Sequence, residues 1–496
     1  MIVIFVHGWS VTDTNTYGYL PEAIAAQAGN YGLTVDIRHI WLGKYISFND
    51  TVNVDDIVRA FDHALHEQIP DGEKIAEFSC ITHSTGGPVV REWVERYFGS
   101  NGLTDCPLRH LVMLAPANHG SPLAALGKER VGRIKAWFDG VEPGQLVLDW
   151  LSLGSQQQID LATATLDYQP AAAGYFPFVL TGQMIDRKLY DFVNSYLTEP
   201  GSDGVVRVSG ANMNYSMVKF VESGESAPLK KEYLNELFYV HLLKQEGEMQ
   251  RPVNVPLGVV PRASHSGKYK GIMRSVTSEK SPKEQVKEIL KCFQVSTADE
   301  YLQRGSELEI LTQKTQKNKH RYITLVFIVE DDEGVPVTDF DLIVLGEKDD
   351  DPDDLAKGVF VDRQKNAAHP NHLVYYVDYN NLITKKLTGF RIIARPSRYR
   401  LVNKSGQPDD DSVFVAKPEN CLSYYRPVEF RVENDAFELR PNETCYINIV
   451  LHRCVDKNVF RFDSAESPKM HKEGLILKTE TRQDFRKTKP SGDGVN

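Results

Sequence analysis

ITHSTGG, Ile81–Gly87, holds a serine between a histidine and a threonine, with an apolar run ahead of it and two glycines near it. Read alone, the string is either a nucleophile on a sharp turn or a Ser/Thr/Gly-rich loop at a helix start. An exposed nucleophile on a strand-to-helix elbow, G-x-S-x-G, needs small residues on both sides. Gly86 and Gly87 supply them after Ser84, but Thr82 stands where the first glycine would be. The neighbouring patterns favour the elbow. Lys74–Thr82 reads as a strand, and Gly87–Phe98 sets Val89, Val90, Trp93 and Val94 at helical spacing.

The same alternation extends outward. Met1–Val6 and Thr34–Trp41 read as buried strands, as does His110–Ala115. Leu20–Asn30 has helical spacing, and Val54–Gln68 places Ile57, Phe61 and Leu65 on one helical face. Such strand–helix alternation predicts an α/β fold with a parallel sheet covered on both faces. The rhythm stops at Ser121–Ala173, where Ile134–Phe138, Leu146–Leu153 and Ile159–Leu166 are apolar clusters. They predict a helical lid or cap over the C-terminal edge of the sheet, the alternative being a permanently packed elaboration. Tyr175–Thr181, Gly204–Ser209 and Val255–Val260 are further strand candidates, and Pro282–Phe293 is a closing helix.

Beyond about Thr315 come short β-rich runs, from Tyr322–Val329 to Tyr446–Leu451, separated by Asp-, Gly-, Pro- and Asn-rich turns. This punctuation predicts a β-sandwich. The expected organisation is a catalytic unit over 1–300 with the insertion at 121–173, a linker at 301–318, a sandwich at 319–463 and a polar tail at 464–496.

With 496 residues the chain exceeds one ordinary core, and 41% hydrophobic with 25% charged residues is a globular balance. The formal charge of -10 argues against a nucleic-acid partner, which would require a basic surface. Six scattered cysteines form no C-x-x-C pair, so no metal or redox motif is signalled. Cys80 reads as a buried thiol, and Cys421, Cys445 and Cys454 are candidates for pairing that their spacing does not require. The opening MIVIFVHGW is too short and lacks the cleavage pattern of a signal peptide. No run approaches the roughly 18–20 apolar residues of a membrane-spanning helix. Synthesis in the cytoplasm is expected, and export by a machine that reads no N-terminal signal is compatible with it.

A serine nucleophile needs a base, and the base needs an orienting acid. On a doubly wound hydrolase sheet the chain order is serine, acid, histidine. Asp203, in SDGVV after a Pro-Gly turn, is the candidate acid, with Asp186 as its rival. His265, in a small polar loop after the last strand candidate, is the candidate base. His241 sits in the apolar stretch Leu237–Leu243 and reads as a packed structural residue. An oxyanion needs two N–H donors. Thr85 follows the nucleophile, and Trp9 lies in the loop after the first strand, with Gly8 permitting close approach.

Taken in order, His7-Gly8-Trp9, His83-Ser84-Thr85-Gly86-Gly87, Asn118-His119-Gly120-Ser121-Pro122, Ser202-Asp203-Gly204-Val205-Val206 and His265-Ser266 resemble the successive motifs of α/β-hydrolase lipases. The resemblance spans about Ile2 to Phe293. It implies an α/β-hydrolase fold and serine-dependent hydrolysis of carboxylic esters, commonly acyl lipids, without a cofactor. It makes Ser84 the nucleophile, Asp203 the acid and His265 the base. His83, Asn118 and His119 would border the substrate. No calcium-ligand pattern accompanies the acid and base, so no metal site is expected.

The expected activity is that of a lipase or phospholipase. Acyl transfer, hydrolysis of small esters and a non-catalytic binding protein on the same scaffold are the alternatives, and an interbacterial lipase effector is an open biological role. The β-rich half carries acidic runs, Asp349–Asp354 and Asp409–Asp411, and many tyrosines. These are solvated loops and sandwich aromatics unless the domain docks on a membrane surface or a protein partner.

Overall fold

The computed structural model describes residues 1–7, 17–47, 49–124, 144–185, 199–231, 236–346, 358–384, 388–402, 408–416, 423–432, 438–455, 470–471 and 474–475. Its first sheet uses β1 (Ile2–His7), β2 (Asp36–Trp41), β3 (Phe78–His83), β4 (Leu108–Leu114), β5 (Phe176–Thr181) and β8 (Leu257–Val259). All pair in parallel, in the spatial order β8-β5-β4-β3-β1-β2. Both faces are covered, so β3 and β5 are buried at every residue. That is why these strands read as continuous rather than alternating apolar runs.

On one face lie α2 (Val54–Gln68) and α3 (Gly86–Tyr97), which bury Ile57, Phe61, Val90 and Trp93. A capping box fixes the start of α2: the Asn53 side chain accepts from Asp56 N–H, and the Asp56 carboxylate accepts from Asn53 N–H. On the other face, α1 (Leu20–Gln27) and α6 (Glu284–Phe293) bury Leu20, Ile24, Val286 and Ile289.

The insertion differs from a simple lid in its described part. α4 (Gln145–Leu151) buries Val147, Leu148, Trp150 and Leu151 in the same core as α2 and α3. α5 (Gln156–Ala164) turns Ile159 and Ala162 onto Tyr215, Val326 and Tyr446 of the second sheet. These helices fill the joint between the two sheets, so their apolar residues serve packing. Ile134–Phe138 lies outside the described residues.

The second sheet begins earlier in the chain than the sequence suggests. β6 (Tyr215–Lys231) and β7 (Glu236–Gln250) lie within the stretch assigned to the catalytic unit, yet they form the middle of the second sheet. They join β9 (Tyr322–Asp331), β10 (Phe340–Leu345), β11 (Phe360–Lys365), β12 (His372–Asp378), β13 (Gly389–Ala394), β14 (Val428–Arg431) and β15 (Thr444–Leu451) in the order β10-β13-β14-β7-β6-β15-β9-β12-β11. A hairpin of Ser397–Val402 and Pro408–Ala416 attaches to β7. In place of two separate sandwich sheets there is one mixed sheet of 11 strands among the described residues.

This sheet curls over its own core. Phe327 of β9 meets Phe390 of β13 at 5.5 Å between ring centroids, although four strands separate them along the ladder. Alternation then divides β9 cleanly. Leu325, Phe327 and Val329 face the enclosed core, while Val326 and Ile328 face the catalytic unit.

The expected linker at 301–318 is also different: α7 (Ala298–Gln316) is a capped helix whose Leu308 and Thr312 pack on β8. Gly204–Ser209 is not a strand. Its first residues form a turn, followed by a short helical turn at Val208–Ala211. Asp349–Asp354, Cys421 and most of the tail beyond 463 lie outside the described residues. Cys80, Cys106, Cys292, Cys445 and Cys454 are free thiols.

Candidate active site

β3 ends at His83, and α3 begins at Gly86. The two-residue turn between them forces Ser84 into the left-handed region, φ 54°. Such a φ is costly for a side chain other than glycine and persists where packing fixes it. Here the packing is specific. A Cβ on Gly87 would come within 2.7 Å of the Pro116 side chain, and one on Gly86 would sit 3.4 Å from both Thr82 Cβ and Val6 O. Thr82 thus packs at ordinary contact distance beside Gly86, and the tight position at the elbow is Gly87.

The acid is held by its own turn. Asp203 is fully buried. Its Oδ1 accepts from the N–H groups of Val205 at 3.0 Å and Val206 at 2.8 Å. Its Oδ2 accepts from His265 Nδ1 at 2.9 Å. The other ring nitrogen, Nε2, stands 3.0 Å from Ser84 Oγ. His265 N–H donates to Asp203 O at 3.0 Å, which locks the base loop to the acid loop. A buried carboxylate that only accepts fixes the proton on Nδ1 and leaves Nε2 free to receive the serine proton.

Thr85 heads α3, where first-turn N–H groups have no partner within the helix. The helix start carries partial positive charge, and Thr85, directly after Ser84, stands at it. Trp9, the other expected donor, and Asp186, the rival acid, lie outside the described residues.

The three residues expected at the substrate border have other contacts. His83 donates from Nε2 to His265 O at 3.2 Å, with ring centroids 4.7 Å apart. Burial, followed by the neighbouring His265, holds its pKa well below the usual imidazole value, so it is a neutral donor steadying the base. Asn118 donates to Ala211 O at 2.8 Å and ties the loop after β4 to the acid segment. His119 bonds Tyr446 OH at 2.8 Å and packs on the rings of Tyr215 and Tyr446. Burial lowers its pKa to about 3.

Sequence reasoning missed how the acid turn is anchored. Arg207, with its side chain 1% exposed, grips both oxygens of Glu199 at 2.9 Å and also bonds Asp362 on β11. Its guanidinium lies 4.2 Å from the Tyr376 ring. Tyr376 OH donates to Pro200 O, and Thr444 donates to Ser209 O. The Asp-Gly pair at Asp203-Gly204 signals a turn. Nothing local could announce partners that stand more than 150 residues away.

Among the described residues there is no cluster of three or more metal-ligating side chains, and no helix is long and apolar enough to cross a membrane. No protein-family model and no curated protein matches the chain. Solved structures do match. Phospholipase PlaB from Legionella pneumophila is 41% identical, aligns over 96% of this chain and 98% of its own, and superposes with a TM-score of 0.79. The same phospholipase in complex with thio-NAD is 40% identical over 94% of this chain and 97% of its own, with a TM-score of 0.78. Both the catalytic unit and the second sheet fall inside that match, and the chain belongs to the PlaB family of α/β-fold hydrolases.

Proposed function

We propose that this protein is a phospholipase that cleaves carboxylic esters of membrane lipids through an acyl-enzyme on Ser84. The observation that carries this reading is the continuous relay from Ser84 Oγ to His265 Nε2 at 3.0 Å and from His265 Nδ1 to Asp203 Oδ2 at 2.9 Å. The family relation to a phospholipase supports the substrate class.

In this mechanism Ser84 attacks the acyl carbonyl while its proton passes to His265 Nε2. The buried Asp203 carboxylate stabilises the imidazolium that forms. Thr85 N–H, with Trp9 as second donor, holds the oxyanion. His265 then protonates the departing alcohol, and a water deprotonated by the same nitrogen releases the fatty acid. Hydrolysis by this route requires no redox cofactor. The relative's complex with thio-NAD makes a dinucleotide a second component to add to the assay.

The test is fatty-acid release from mixed phospholipid vesicles and from triacylglycerol, with Ser84→Ala alongside. Phospholipid turnover that disappears in the variant supports the proposal. Turnover of short p-nitrophenyl esters alone would replace it with a small-ester esterase.

A further inference from the structure

The loop that carries the base also carries charge. Between Pro261 and Ser278 stand Arg262, Lys268, Lys270 and Arg274 and no aspartate or glutamate, in a chain whose formal charge is -10. Arg262, Lys268 and Arg274 are exposed, and Lys270 is half-buried. Among the described residues none of the four forms an ion pair. Exposed cations elsewhere commonly do, as Arg38 with Asp36, Arg59 with Asp56 and Lys219 with Glu246 show.

Backbone contacts set these residues at the rim of the candidate active site. Ser264 N–H donates to Lys270 O at 2.8 Å, Ile272 N–H to Ser264 O at 2.8 Å and Gly271 N–H to Gly267 O at 2.9 Å. They close a tight turn next to His265, with Lys268 and Tyr269 at its tip. Tyr269 is 62% exposed. The segment then meets the residues that lead into α1. Tyr19 N–H donates to Val276 O at 2.9 Å, and a Cβ on Gly18 would lie 3.1 Å from Arg274 Cα. Tyr19 is 51% exposed. On the other side Met184 N–H donates to Ala263 O at 3.0 Å, and the Nζ of Lys319, just beyond α7, lies 3.7 Å from Met184 Sδ. Partial burial lowers the Lys319 pKa, with no carboxylate to offset it. These cations and the two tyrosines border the edge of the sheet where His265 meets Ser84. The start of α1 adds one acid, Glu22.

We infer that this rim docks the protein on an anionic lipid bilayer, with Arg262, Lys268, Lys270, Arg274 and Lys319 against headgroup phosphates and Tyr19 and Tyr269 at the interface. The cations are spread along exposed backbone instead of converging in a cleft, which suits a surface of many phosphates more than one free anion. The same surface repels the negative remainder of the protein, so attraction turns Ser84 toward the lipid. A tyrosine ring, apolar in body and polar at its tip, settles at headgroup level. Each Lys or Arg held near such a membrane strengthens binding roughly fivefold, and salt weakens it. The inference rests on the proposed action on membrane lipids for its purpose, but docking is read without turnover.

The experiment floats the full-length Ser84→Ala protein with vesicles of phosphatidylcholine alone and of equal parts phosphatidylcholine and phosphatidylglycerol. Binding should be far tighter to the anionic vesicles and should fall as salt rises. Lys268→Glu with Lys270→Glu should weaken it at least about twentyfold. Arg274→Gln with Lys319→Gln, on separate segments, should weaken it about tenfold, with melting temperatures reading the fold of both pairs. Lys74→Glu with Lys280→Glu makes the same change in net charge elsewhere and should keep the binding: Lys74 precedes β3, and Lys280 lies beside Gln27 at the far end of α1. Equal affinity for the two vesicles, equal losses from the rim and control pairs, or no binding would overturn the inference. So would displacement of the vesicles by millimolar glycerol phosphate, which would assign a discrete anion site. Docking that holds while wild-type protein releases no fatty acid would sink only the phospholipase reading; phospholipid turnover indifferent to both rim pairs would sink only the docking surface.

Discussion

Replacing Arg207 by methionine should loosen the catalytic acid from the second sheet. The side chain is 1% exposed and faces Glu199 and Asp362, which are 16% and 25% exposed. Removing the cation leaves two half-buried carboxylates facing each other. Breaking such a pair costs about 3–5 kcal/mol, and the partial exposure of the acids puts this case near the lower end. The effect on rate follows from the turn. Ser202 and Arg207 bridge across it, Asp203 N–H donates to Val206 O, and the Val205 and Val206 N–H groups hold Oδ1. A displacement of roughly 1 Å at a positioned group costs on the order of 10² in rate, against about 10⁴ when the acid is lost outright. We therefore expect kcat on p-nitrophenyl butyrate to fall about 10–100-fold, with KM moving far less. Urea unfolding should show the stability loss in parallel, and Arg207→Lys should recover part of each. Unfolding that shifts as expected while kcat stays within about twofold would refute the coupling, because the turn would then hold Asp203 without the second sheet.

Asp203→Asn should lower kcat by about 10⁴ with the fold intact, since the wrong imidazole tautomer then faces Ser84; circular dichroism checks the fold. Gly87→Ala should yield little soluble, active protein, because the new Cβ would lie 2.7 Å from the Pro116 side chain at the elbow; soluble yield and esterase activity measure it. Acid should destabilise the fold between about pH 6.5 and 4. His110 and His119 have pKa values lowered to about 4 and about 3 by burial, and His83 is lowered well below its usual value. The unfolded chain binds these protons first, so stability is full above the unfolded pKa and is lost as pH falls toward the folded values. Each histidine contributes up to about 1.4 kcal/mol per pH unit in that window, and urea titrations at several pH values read the slope.

The parallel sheet was legible because burial on both faces leaves continuous apolar strands, such as Phe78–His83, separated by helices with one apolar stripe. The candidate triad could be drawn from the sequence because the proposed chemistry fixes both residue types and chain order. Ser84, Asp203 and His265 are separated by 119 and 62 residues in the sequence, yet they meet within hydrogen-bond reach. The second sheet was only half legible. β6 and β7 carry charged residues such as Lys219, Glu222 and Lys244 along one-sided strands, and they follow the acid directly. Local pattern marks such strands but cannot say which sheet they join, because their partners β14 and β15 lie roughly two hundred residues on. His119 shows the same limit from the other side. Its motif pointed to the substrate, but its ring is occupied by Tyr215 and Tyr446, which no local pattern connects to it.

The path of the chain gives this arrangement a consequence for the whole enzyme. Asp203 precedes β6 and His265 follows β7, so the two longest strands of the second sheet are inserted between the proposed acid and the proposed base. Those strands bury Val218, Phe220 and Leu243 in the core of the second sheet. They pair with β15 and β14, which arrive more than 170 residues later. A chain ending at residue 318 would keep every triad residue and the whole parallel sheet. It would also expose the apolar face and both open edges of a long hairpin, which is a template for aggregation. It would further lose Asp362, Tyr376 and Thr444, which brace the acid segment. We expect that truncated chain to be insoluble or, if solubilised by fusion, to turn over p-nitrophenyl butyrate at least about 10²-fold more slowly than the full chain. Full activity from a monodisperse 1–318 fragment would mean that the second sheet is an attachment to a self-sufficient hydrolase; failure of the fragment, together with the kcat loss in Arg207→Met, would make that sheet part of the scaffold that holds Asp203 against His265.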